Sequence, residues 1–142
     1  MQQLKLLFKP ACICFIVAAT FFGCKPTIAL YDANAYSQAI SIKVDLDNLA
    51  DTSSKTDYSN ALPFINQTTS EIQKAIAFNT AREKNTESTQ QYQLLYSNFL
   101  NPFLNAWKTQ TRISEAAVPE FKKNFDAAMD MIIKLEVNKN KS

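Results

Sequence analysis

Apolar residues recur at helical spacing through most of this chain. Between residues 30 and 51, Ala35, Ala39, Ile42, Leu46 and Leu49 follow at intervals of four and three, which stacks them on one helical face. Ile40, Ile42, Val44 and Leu46 also alternate with Ser41, Lys43 and Asp45, as in a half-buried strand, but the alternation lasts barely seven residues and no partner strand follows. The helix is the better reading. Asp51 to Thr56 is polar and punctuated by serines, so it reads as a connection. A second stripe runs through Tyr58, Leu62, Ile65, Thr69, Ile72, Ile76 and Asn79, with capping-box spacing at Ser54 and Asp57 ahead of it. Pro63 removes a backbone donor inside that stripe, so the helix either bends there or begins near Asn60 with Pro63 in its first turn.

Arg82 to Glu87 forms a polar corner, and Ser88 with Gln91 repeats the capping-box spacing before the apolar line Tyr92, Leu95, Phe99. Asn101-Pro102 then supplies an N-cap and a first-turn proline in mid-pattern, which predicts a kink or step before the helix continues through Phe103 and Trp107. The stretch Tyr58 to Asn66 echoes Tyr96 to Asn105 with one inserted residue, as two helices sharing one proline solution would. After a corner at Lys108 to Ser114, Pro119 suits the first position of a last helix. There Phe121, Phe125, Ala128, Ile132 and Leu135 form the stripe, while Lys122, Lys123, Asp126 and Asp130 face away. Beyond Val137 the chain is polar, and residues 139–142 read as a frayed tail. The pattern predicts an all-α fold, a small antiparallel up-and-down bundle of about four helices with one kinked at a proline, spanning residues 30–138.

Composition supports helices. The single glycine of the 142 residues is Gly23, so the rest of the chain lacks the residue that tight hairpins and phosphate-cradling loops require. Polar caps and prolines must set the helix ends instead.

The first 23 residues have a different character. Lys5 and Lys9 precede an apolar run from Ala11 to Phe22, broken only by Thr20, and Lys25-Pro26 ends the run. A dozen apolar residues fall short of the roughly 20 a spanning helix needs, and they match a signal peptide. Phe21-Phe22-Gly23-Cys24 resembles the lipobox of bacterial lipoproteins, with two phenylalanines where leucine and a small residue are usual. That resemblance implies cleavage before Cys24, a diacylglycerol thioether on its sulfur and an N-acyl chain such as palmitate. Two or more chains hold a protein stably on a membrane where one does not. Residues 24–29 would then be a short tether. The location implied is the bacterial cell envelope, and Lys25, where an aspartate marks inner-membrane retention in enteric lipoproteins, points to the outer membrane. Cys12 and Cys14 would leave with the signal, so no internal disulfide is available. Loss of Lys5 and Lys9 leaves 13 basic residues against 13 acidic ones. Such a balance, without a basic stripe, gives no footprint for nucleic acid.

The second half carries a further likeness. Gln91-Tyr92-Gln93-Leu94-Leu95, Asn98 to Trp107, and Phe125-Asp126 onward to Ile132, Ile133, Leu135 and Glu136 resemble the pattern of an uncharacterised family of small, exported, all-helical bacterial proteins. Tyr92 stands where that pattern has tryptophan, and Asn101-Pro102 where it has two glycines. The resemblance implies export and a helical fold, and it supplies no activity.

Candidate chemistry is sparse. Without histidine, Ser-His-Asp, Cys-His and histidine–zinc sites are excluded. Asp47 and Asp51, and Asp126 and Asp130, stand four apart and share helix faces, but with lysines beside them they read as solvated polar faces, and no metal or other cofactor is expected. The line Tyr92, Tyr96, Phe99, Phe103 and Trp107 reads as core, or alternatively as the floor of an apolar-ligand or peptide groove. The sequence therefore leads to a non-catalytic, lipid-anchored module that binds an envelope protein or peptide. A carrier or sensor of a small apolar ligand is the alternative.

Overall fold

Asp32 opens the first helix, α1 (Ala33–Lys55), by accepting hydrogen bonds from the backbone of Asn34 at 2.8 Å and Ala35 at 3.1 Å. In this computed structural model, which describes residues 28–141, α1 buries Ala35, Ala39, Ile42, Leu46 and Leu49 and exposes Ile40 and Val44. The helical period prevails over the alternating one. Cys24 and the expected signal segment lie outside the described residues.

The expected connection at Asp51 to Thr56 is instead the last turn and a half of α1, up to Lys55 with Thr56 as its C-cap. Its hydroxyls turn back onto the helix: Thr52 donates to Asn48 O at 2.7 Å and the buried Ser53 to Ala50 O at 2.6 Å. Ser54 bonds Asp51 O, so Ser54 and Asp57 form no capping box. A tight turn on Asp57 O, which accepts from Asn60 and Ala61, leads into α2 (Leu62–Ala81). Pro63 occupies its first turn, where a missing N–H costs nothing. Ile65, Thr68, Ile72, Ala75 and Asn79 point inward, whereas Leu62 is exposed.

The third rod comprises α3 (Thr86–Leu94), a π-helical turn over Leu95–Leu100, and α4 (Asn101–Gln110). Asn101 N–H reaches Tyr96 O, five residues back. Pro102 explains the wider turn, because it lacks an N–H and its ring crowds the carbonyl four residues earlier. The step expected at Asn101-Pro102 thus takes the form of one extra residue in the turn. The final rod, α5 (Val118–Lys139), carries Pro119 in its first turn. It continues as helix to Lys139, further than the frayed tail drawn from residue 139 allowed.

The four rods alternate in direction, and no strand occurs among the described residues. α1 packs on α2 and α5, α2 on α3, and α3 on α5, which closes the bundle around one core; the α1–α5 interface is the most extensive. Ile42, Leu46, Leu49, Ile72, Leu95, Leu100, Phe103, Trp107, Met129 and Ile132 are completely excluded from solvent. Two corners use positive φ without glycine, Lys84 at 58° and Thr111 at 67°. No described helix is long and apolar enough to cross a membrane.

Candidate functional site

The aromatic line is placed mainly in the core. Tyr92, Phe103 and Trp107 are buried, and Tyr96 and Phe99 pack against them from the margin. Phe103 sits among other rings, with centroids 5.0 Å from Phe121, 5.3 Å from Phe125 and 5.8 Å from Trp107, in tilted or edge-on geometry. Tyr58 meets Trp107 edge-on at 5.8 Å, and the indole N–H donates to Thr56 O at 3.2 Å. These rings join α4 to α5 and to the corner that follows α1.

The two acid pairs come together, but each is matched by lysine. α1 and α5 lie side by side, so Lys43 Nζ bridges Asp126 at 3.0 Å and Asp130 at 2.6 Å, while Lys122 Nζ meets Asp51 at 3.0 Å. The faces read as solvated are therefore an interhelical ladder of alternating sign. The hydrogen bond it donates to Asp130 raises the Lys43 ammonium above its ordinary range, against the opposing effect of burial, and the bond donated to Asp51 does the same for Lys122. Burial, with Asp126 nearby, pushes the Asp47 carboxyl up; burial, with Glu71 nearby, does so for Asp45. Among the described residues no cluster of three or more acids or cysteines could hold a metal ion.

A polar centre that the sequence reading did not single out lies where α2 ends, α3 begins and α5 ends. Ser88 Oγ donates to Glu136 Oε1 at 2.6 Å, and Lys139 Nζ donates to Asn85, to Ser88 at 2.7 Å and to Glu136. Asn85 passes the chain on to Asn79 Oδ1. Arg82 Nη1 stands 3.6 Å from Glu136 Oε2, close enough for ion pairing and too far for a hydrogen bond. The side chains of Glu136 and Lys139 are 1% and 3% exposed, so the pair is closed to substrate and functions as a joint. The Tyr92 hydroxyl lacks a hydrogen-bond partner, and burial followed by the Glu136 charge pushes its ionisation far above the ordinary phenol range. Ser88 and Gln91 are not a capping box, because Ser88 is spent on Glu136. Glu136 and Lys139 continue the stripe Phe125, Met129, Ile132 at intervals of four and three, which is the signal that would have placed them inside.

The same end of the bundle receives the incoming chain. Ala29 is buried and its N–H donates to Lys84 O at 3.1 Å; Arg82 Nη2 donates to Leu30 O. Arg82 therefore touches the amino-terminal segment, the Glu136 carboxylate and, at 5.6 Å, the face of Phe78. No family model, curated protein or solved structure matches this chain.

Proposed function

We propose that this chain is a lipid-anchored module of a bacterial cell envelope, non-catalytic, whose helical bundle presents a surface to another envelope protein or peptide. The observation that carries the reading is the use to which its chemistry is put. Aromatics fill the core, the paired aspartates face lysines, and the buried Glu136–Lys139 pair joins three helices. What remains for function is the outer surface and the anchor. The carrier alternative requires a cavity among Tyr92, Tyr96, Phe99 and Trp107, and the burial of Tyr92 and Trp107 against their neighbours weighs against it.

Wild-type and Cys24→Ala proteins, expressed in a bacterial host and captured from detergent-solubilised membranes, test the proposal. The wild-type amino-terminal peptide should carry the mass of a diacylglyceryl, N-acylated cysteine and remain with salt-washed membranes. The alanine form should leave them and still capture the same partner. Membrane retention of the alanine form would remove the lipid as the anchor; an empty capture with both forms would remove the interaction surface.

A further inference from the structure

The first described residues, Ile28 and Ala29, enter at one end of the bundle, and that end exposes apolar side chains beside Asp32, Arg82, Glu83 and Lys84. Leu30 is 68% exposed, Tyr31 38% and Phe78 37%. Leu30 and Phe78 are neighbours through one side chain, since Arg82 holds the Leu30 carbonyl and lies over the Phe78 ring, and Tyr31 follows Leu30 along the chain on the Arg82 side. Resting on the anchor reading above, we infer that Leu30, Tyr31 and Phe78 form a docking face for the phospholipid bilayer that carries the anchor.

Chain length commits the occupant. Five residue steps separate Cys24 from Ala29, where the chain is already pinned to Lys84, and an extended chain covers at most about 17 Å in that distance. Three exposed apolar side chains within such reach of an acylated cysteine meet lipid before they meet a protein held further out. Leucine and phenylalanine suit the acyl boundary, and tyrosine suits the headgroup level with its hydroxyl in water. Arg82 fits the same place, with its stem along apolar surface and its charge returned to Glu136. Leu62 is a natural contrast: it is exposed at the other end of α2, about 24 Å along the axis from Phe78. The bundle stands on its tether end, with the corners at residues 56–61 and 111–117 pointing away from the membrane.

Tryptophan quenching by brominated lipid reads this directly. Tyr31→Trp and, separately, Leu62→Trp are made in the full-length chain, acylated in cells and reconstituted into phosphatidylethanolamine–phosphatidylglycerol vesicles with or without brominated acyl chains. Native Trp107, buried at the far end, supplies the baseline. Emission added by Tyr31→Trp should fall at least about twofold with brominated lipid, and emission added by Leu62→Trp should not change. Equal quenching at both positions would mean that the bundle lies flat, and quenching at neither that it stands clear; either result overturns the docking face. The mass of the amino-terminal peptide from the same vesicles separates the two claims. Acylated Cys24 without quenching at position 31 removes the docking face and leaves the anchor, whereas unmodified Cys24 removes both.

Discussion

Glu136 and Lys139 show how much one residue can depend on its neighbours. Each alone would be a buried charge of prohibitive cost; together, Lys139 donates to Asn85, Ser88 and Glu136 Oε1, while Glu136 Oε2 makes no hydrogen bond and has only the Arg82 charge 3.6 Å away. Glu136→Gln leaves the Lys139 ammonium buried without its counter-charge and should lower unfolding free energy by about 3 kcal/mol. Glu136→Leu combined with Lys139→Met removes both charges and should cost less than the two single changes added together, with a coupling of about 0.5–3 kcal/mol. Urea unfolding of the wild type and the four variants measures both. Additive losses would show that the pair contributes only through separate packing. Sequence pattern reached this centre only in outline. Asn79 ended the second stripe as a polar residue in an inward position, but polar residues near a chain end look solvated until the partner helix is placed beside them. Ser88 and Lys139 lie 51 residues apart, a separation over which no local spacing speaks.

At the scale of one element, the third rod separates what period can and cannot tell. Tyr92, Leu95 and Phe99 suit a continuous α-helix, and the step at Asn101-Pro102 was legible because proline acts locally. The burial of Leu100 in place of Phe99 was not legible, because a π turn adds a residue and rotates everything after it relative to a fixed 3.6 period. The inward line runs Tyr92, Leu95, Leu100, Phe103, Trp107, with the interval of five marking the wide turn. Deleting the exposed Ser97 restores an ordinary spacing but forces Pro102 into a regular helix, a loss of about 3 kcal/mol. Adding Pro102→Ala to the deletion should recover most of it. Thermal melts followed by circular dichroism compare the three chains, and a double variant no better than the deletion would show that the extra residue is needed for packing and not for the proline. The ends of α1 teach a similar lesson: serine and threonine from Thr52 to Ser54 looked like a loop because their propensity is local, and tertiary burial of Ser53 kept them helical.

For the molecule as a whole, the ladder between α1 and α5 sets an alkaline limit. Lys43 and Lys122 are raised above 10.5 in the folded chain by their aspartates, so their contribution is complete below 10.5 and disappears as pH rises through the higher folded values. Tyr92 acts with the same sign, since its phenol stays protonated in the fold above its ordinary 10.0 while the unfolded chain ionises. Asp45 and Asp47, raised from 3.8 by burial, lose stability as pH climbs from there through their folded values. Melting temperature should therefore fall steeply above pH 10.5, and Lys43→Met with Lys122→Met should remove part of that fall, leaving the share due to Tyr92. The two lysine changes should cost about 0.2–1 kcal/mol each near neutrality, as partly exposed pairs do. A double variant with an unchanged alkaline slope would assign the whole effect to Tyr92.

The partnership of α1 with α5 also joins the two ends of the helical chain. The most extensive interface joins the first helix of the bundle to the last, so α2, α3 and α4 must be looped out before it can form, and long-range closure of this kind comes late in folding. A ribosome or a translocation channel that still holds residues 118–139 withholds one wall of the core. Until that helix is free, the face of α1 that meets α5 in the folded bundle is left uncovered.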